Sequence, residues 1–210
     1  MPKLKDFGLY FITDSRLTKK TVIDDVKSAI KGGVKVIQYR EKYESTKKMV
    51  MEASEIKELC RKNRVMFLVN DRIDIALSAN ADGIHIGQDD LPYQIARKIL
   101  GKNKIIGLTA HNVNESAAAE KLGADYIGLS PIFSTSTKAD AGKSCGTEMI
   151  TRVKKCVKIP IVAVGGINES NIGQVLEAGA KNIAIISAIL AKDDVGQAVK
   201  NFVKMINSHK

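Results

Sequence analysis

Short runs of β-branched and other apolar residues alternate with longer segments that are apolar on one side only, from one end of the chain to the other. The runs predict strands at about Gly8–Thr13, Val34–Gln38, Met66–Asn70, Gly83–Ile86, Ile105–Leu108, Tyr126–Leu129, Ile161–Val164 and Ile183–Ile186. Several are continuously apolar, such as Ile161-Val162-Ala163-Val164, the pattern of parallel strands covered on both faces. Between them the spacing predicts helices, clearest over Val22–Lys31, Lys47–Asn63, Glu115–Leu122 and Glu169–Ala178, with a short one at Tyr93–Leu100. Glycines at Gly32-Gly33, Gly123 and Gly179 mark helix ends. Gly123-Ala124-Asp125 and Gly179-Ala180-Lys181 each close a helix and open a strand, and Ala79-Asn80-Ala81-Asp82-Gly83 resembles them. A βα unit repeated through eight strands without a linker predicts an α/β protein, a (β/α)8 TIM barrel forming a single domain over residues 1–210. An open doubly wound sheet fits the pattern less well.

Composition narrows the core. Hydrophobic residues make up 44% of the 210-residue chain, tryptophan is absent and aromatics reach only 5%, so the interior must be built from branched aliphatics and alanine. The formal net charge of +10 suits either nucleic acid or acidic lipid, or a cleft that draws in anionic substrates. Lysines such as Lys47, Lys48, Lys57, Lys154 and Lys155 fall on predicted exposed helix faces, and no dense basic tract marks a nucleic-acid arm. Charge alone decides nothing. Cys60, Cys145 and Cys156 share no CxxC spacing and read as reduced structural thiols. With no signal-peptide pattern at the start and no apolar stretch of membrane length, the expectation is a soluble, cytoplasmic protein.

In such a barrel the active site lies at the C-terminal ends of the strands. The second strand runs into Gln38-Tyr39-Arg40-Glu41-Lys42, where alternation puts Gln38, Arg40 and Lys42 on one face. If that face is the interior, only an anion would justify two cations there; a solvated strand end is the plain alternative. The third strand ends in Asn70-Asp71-Arg72, and the fourth leads to Gly87-Gln88-Asp89-Asp90-Leu91-Pro92. Acids here either cap the following helices or form a pair of hard oxygen ligands for Mg2+. The sixth strand leads into Ser130-Pro131-Ile132-Phe133-Ser134-Thr135-Ser136-Thr137-Lys138, a hydroxyl-rich loop with donors for phosphate oxygens. The seventh ends in Gly165-Gly166-Ile167 and the eighth in Ile186-Ser187, where barrels often hold a phosphate on backbone N–H groups. His85 and His111 stand alone, without a nucleophile motif, and read as structural. One mixed charged site and one neutral site together fit a diphosphate and a monophosphate.

Tyr10-Phe11-Ile12-Thr13-Asp14, Gln38-Tyr39-Arg40-Glu41-Lys42, Asn70-Asp71-Arg72, His85-Ile86-Gly87-Gln88-Asp89-Asp90, Pro131-Ile132-Phe133, Thr135-Ser136-Thr137-Lys138, Gly165-Gly166-Ile167 and Ile186-Ser187-Ala188-Ile189 follow one another in order. In this the chain resembles the thiamine-phosphate synthase family over nearly its whole length. The resemblance implies a transferase that couples hydroxymethylpyrimidine diphosphate with a thiazole phosphate, carboxylated or not, releasing pyrophosphate. It implies Mg2+ on Asp71 and Asp90, and Arg40, Lys42 and Lys138 as catalytic cations that hold the diphosphate with Asn70. Gln38 and Thr109 would contact the pyrimidine, while Tyr39, Glu41 and Ser136 come with their motifs as substrate contacts. Thr135 and Thr137, with the backbone of Gly166, Ile186 and Ser187, would hold the thiazole phosphate. Thr109, Ser130, Ser134 and the Gly142–Gly146 stretch depart from the family pattern. The rival readings are a thiazole tautomerase-like barrel and a basic nucleic-acid-binding module; the retained acids and cations oppose the first, and the missing aromatic platform opposes the second.

Overall fold

Each apolar run becomes a parallel strand. In the computed structural model, which describes residues 5–137 and 142–209, these are β1 (Gly8–Ile12), β2 (Val36–Tyr39), β3 (Met66–Asn70), β4 (Gly83–Ile86), β5 (Ile105–Ala110), β6 (Tyr126–Leu129), β7 (Ile161–Val164) and β8 (Asn182–Ile185). Each pairs with the next in sequence order, and β8 returns to β1, which closes the barrel. The helices are α1 (Val22–Gly32), α2 (Thr46–Asn63), α3 (Ile73–Ser78), α4 (Tyr93–Leu100), α5 (Val113–Leu122), α6 (Glu148–Cys156), α7 (Ile172–Glu177), α8 (Ser187–Leu190) and α9 (Val195–Asn207). Side-chain caps start four of them: Thr21, Ser45, Asn112 and Asp194 each accept from a backbone N–H three residues on. Among the described residues no helix is long and apolar enough to cross a membrane.

Alternation along the strands sorts side chains into two cores. Tyr10, Ile12, Val36, Leu68, Ile105, Tyr126, Val162 and Ala184 fill the barrel interior. Phe11, Ile37, Phe67, Ile127, Ala163 and Ile183 belong to the larger cluster that reaches the helices, such as Val26 of α1 and Phe202 of α9. Burying one such aliphatic side chain stabilises the fold by about 1.5–3 kcal/mol. The interior aromatics need space that neighbouring strands supply: a Cβ on Gly107 would collide with the Tyr126 ring, and one on Gly128 would lie 2.8 Å from His85 Cε1.

Candidate active site at the barrel mouth

The five-residue stretch around the end of β2 divides by parity. Gln38, Arg40 and Lys42 line a cavity at the C-terminal mouth. Tyr39 instead joins the outer core and donates to Glu52 Oε2 at 2.7 Å. Glu41 is buried, and its Oε1 accepts the N–H groups of Lys42 (2.8 Å) and Tyr43 (2.7 Å), which holds the turn into α2. Neither Tyr39 nor Glu41 lines the cavity, so their contribution there is to the shape of the strand end. Arg40 pairs with the carboxylate of Asp14 at 2.7 Å, and Lys42 pairs with Asp71. The two mouth cations therefore have counter-ions within the fold, a correction to the expectation that only a bound anion would justify them. Burial alone would raise the Asp14 carboxyl, but hydrogen bonds from Arg16 and the charge of Arg40 outweigh it and hold this group below its ordinary range.

Asp71 and Asp90 cap nothing. Asp71 sits at φ +59°, with its N–H on the His85 carbonyl at 2.8 Å, and α3 begins beyond it without a side-chain cap. Asp90 accepts the Gly87 N–H at 2.6 Å, while α4 starts after Pro92, again without a side-chain cap. The capping alternative is thus removed. Burial, with a hydrogen bond to the Asp71 side chain, raises the Asp90 carboxyl; the Gly87 N–H and Lys42 pull it back only in part. Two crowded carboxyls are the arrangement a divalent cation relieves, and two hard oxygen ligands leave places for phosphate oxygens. Among the described residues no group of three or more His, Cys, Asp or Glu could hold a metal. Asn70, at the end of β3, lines the same wall.

The floor is polar, which the sequence reading missed. Gln38 Nε2 donates to the Tyr10 hydroxyl at 2.8 Å, and that hydroxyl lies 3.0 Å from the hydroxyl of Tyr126. Tyr126 contacts His85 Nδ1 at 2.9 Å, and His85 Nε2 contacts Thr109 Oγ1 at 3.0 Å. Gln88 Nε2 donates to the Thr109 carbonyl at 2.6 Å. His85 and His111, expected to be structural, both line the cavity; His111 Nδ1 also pairs with Glu115 at 2.7 Å.

The opposite wall comes from β6, β7 and β8. Thr135 and Thr137 line the cavity, whereas Ser136 is exposed and does not. Lys138 lies outside the described residues. Gly165 (φ +100°) and Gly166 (φ +64°) adopt left-handed backbone, and a Cβ on Gly166 would meet the Ser134 carbonyl at 2.5 Å and Phe133 Cβ at 2.8 Å. Glycine is therefore required first by the neighbouring loop, which packs directly on it. That loop follows a cis Ser130–Pro131 bond, and Cys145 and Gly146 return to bond the carbonyls of Pro131 and Ile132 at 2.9 and 3.1 Å. Asn171 Nδ2 holds the Gly166 carbonyl at 2.9 Å, and Ile186 and Ser187 complete the wall where α8 begins. Arg16 spans the mouth: it binds Asp14, donates to the Thr137 carbonyl at 3.2 Å and covers the Tyr43 ring at 4.9 Å.

A closed parallel barrel with paired acids and cations on one side of its mouth, and a glycine-rich wall on the other, defines a (β/α)8-barrel enzyme of phosphorylated small molecules. Residues 9–189 match the family model described as thiamine monophosphate synthase. Thiamine-phosphate synthase of Methanosarcina mazei is 52% identical over 207 residues, covering 99% of this chain and 86% of that protein. Its counterpart in Chloroflexus aurantiacus is 44% identical, with 96% and 94% covered. A solved thiamine phosphate pyrophosphorylase from Pyrococcus furiosus has a TM-score of 0.90 at 37% identity, covering 97% of each chain. The chain belongs to the thiamine-phosphate synthase family, and it is a transferase of thiamine biosynthesis.

Proposed function

We propose that this mouth couples hydroxymethylpyrimidine diphosphate to a thiazole phosphate, forming thiamine phosphate and pyrophosphate. The observation that carries the assignment is the asymmetry of the cavity: Arg40, Lys42, Asn70 and Asp71 line one side, while Thr135, Thr137, Gly166, Ile186 and Ser187 line the other. The charged side suits a diphosphate, and the neutral side suits a single phosphate held by hydroxyl and backbone groups. Arg40, Lys42 and Asn70 would hold the diphosphate, and Lys138 joins them by its place after Thr137. Asp71 and Asp90 would hold Mg2+, which when bound supplies positive charge against the leaving pyrophosphate. Gln38 and Thr109 would seat the pyrimidine.

The chemistry that fits is dissociative. The C–O bond to the diphosphate breaks first, the aminopyrimidine delocalises the resulting positive charge, and the thiazole nitrogen captures the carbon. No protein nucleophile is needed, and the chain's own work is to hold the leaving group, orient the two rings and keep water away. The partners in this reading are the two small molecules; the positive surface serves their phosphates and not nucleic acid or membrane. Free thiols at Cys60, Cys145 and Cys156 agree with a reducing cytoplasm.

Calorimetry on folded variants separates the two sides. Lys42→Ala is expected to weaken the pyrimidine diphosphate by roughly ten- to a hundred-fold and leave the thiazole phosphate unchanged. Thr135→Val is expected to do the reverse, with a smaller loss. If both substitutions weaken the same ligand alone, the two-sided assignment is wrong.

A further inference from the structure

Five side chains from five strands form one continuous hydrogen-bonded chain across the barrel: Gln38, Tyr10, Tyr126, His85 and Thr109. Only its two end members were assigned above. We propose that Tyr10, Tyr126 and His85 are positioning residues that act as a polarity relay, coupling the amide of Gln38 to the hydroxyl of Thr109. The floor then offers a ligand an acceptor at one end and a donor at the other. This inference rests on the reading that the pyrimidine sits on Gln38 and Thr109.

The coupling follows from counting hydrogens. Tyr10 and Tyr126 are both fully buried, and burial raises both phenols far above their ordinary range, so each keeps a single O–H. In the relay His85 is the neutral imidazole, which carries one N–H. Gln38 Nε2 donates to the Tyr10 oxygen, and in the relay the Tyr10 hydrogen points to Tyr126 and the Tyr126 hydrogen to His85 Nδ1, the arrangement in which each of these hydrogens meets an acceptor within the five residues. The histidine hydrogen is thereby placed on Nε2 and donated to Thr109 Oγ1. Two functions are left over by valence, the Gln38 Oε1 lone pairs and the Thr109 hydroxyl hydrogen, and both residues line the cavity. An acceptor and a donor together match the amidine edge of an aminopyrimidine, which offers an N–H and a ring-nitrogen lone pair. Turning the Gln38 amide over reverses every link at once. The floor would then match the opposite edge, that of a 4-oxopyrimidine, and no intermediate arrangement is fully bonded.

The geometry has little freedom to break the chain. The His85 and Tyr126 rings stack with centroids 5.5 Å apart. Glycines 107 and 128 admit the two rings closely, as any Cβ there would collide with them.

The chain contains three histidines, so 15N NMR of histidine-labelled enzyme reads His85 directly. With hydroxymethylpyrimidine diphosphate bound, wild-type His85 is expected as the Nε2–H tautomer. With the 4-oxo counterpart bound, it is expected to switch to Nδ1–H. Tyr126→Phe cuts the relay; it should give mixed tautomers and reduce the preference for amino over oxo ligand by about ten-fold, as for the loss of one hydrogen bond. Tyr10→Phe cuts it one link further from the histidine and serves if Tyr126→Phe does not fold. An Nδ1–H or doubly protonated His85 in the amino complex overturns the relay. So does an unchanged tautomer and preference in the cut variants while Gln38→Ala or Thr109→Val still weakens binding, a result that leaves the pyrimidine placement standing. If neither Gln38→Ala nor Thr109→Val weakens binding, placement and relay fall together.

Discussion

Asp71 shows how a single backbone conformation bears on a functional test. Its φ of +59° belongs to the left-handed region, where asparagine is tolerated and alanine is strained. Asp71→Asn therefore removes the negative charge with little cost to the fold. Turnover should fall by more than about a hundred-fold, since even the groups behind metal ligands are worth ten- to a hundred-fold. Steady-state rates across a Mg2+ titration, beside a thermal melt, check this; activity within a few-fold of wild type would remove Asp71 from the metal site. Asp14 gives a pH prediction. Its carboxyl is held below the ordinary range by Arg16 and Arg40 against the opposing effect of burial, so the unfolded chain binds this proton more readily. The stabilisation is complete above the ordinary carboxylate pKa and is lost as pH falls through it towards the folded value. Asp14→Asn should lower stability near neutrality and flatten its decline in acid, measured by urea unfolding from about pH 7 to about pH 3. Parity on β2 was legible at this scale. The alternation that grouped Gln38, Arg40 and Lys42 also assigns Tyr39 and Glu41 to the other face, and the motif resemblance alone drew those two into the site.

Among the elements, the strands were legible because each is a short apolar run, and β3, β4, β6 and β7 begin and end where the pattern places them. Helix α7 is shorter than Glu169–Ala178 because Asn168 and Asn171 fold its approach into a turn, Asn168 N–H bonding Asn171 Oδ1 at 2.8 Å. The floor was not legible. Tyr10 and Tyr126 look like any apolar strand residues, His85 stands alone in sequence, and only closure of the barrel brings them together. The loop after β7 carries the element-scale prediction. Gly166→Ala pushes a Cβ towards the Ser134 carbonyl from a left-handed backbone, so it displaces the β6–α6 loop before it touches any phosphate. The variant should lose about 1–3 kcal/mol of stability and need more thiazole phosphate for half-saturation, with pyrimidine diphosphate binding nearly unchanged. Denaturant unfolding and calorimetry with each substrate separate these effects; equal loss of both ligands would contradict the assignment of this wall.

For the whole molecule, the repeat of βα units made the barrel legible, since eight strands without a linker leave few other closures. The net charge of +10 was ambiguous in the sequence, and the mouth gives it a use. Two anionic substrates approaching a positive protein should feel its field, which salt screens over about 8 Å at physiological ionic strength. Raising salt is thus expected to lower kcat/KM for both substrates and change kcat much less, as stopped assays over a range of KCl would show. The central claim is that the two differently built sides of this one mouth work together with Mg2+. The most direct test is to incubate the purified chain with both substrates and assay thiamine phosphate and pyrophosphate. Equimolar formation of the two products is expected only when both substrates and Mg2+ are present, abolished by a chelator and restored by returning the ion. No thiamine phosphate under those conditions, or undiminished formation in excess chelator, would contradict the account.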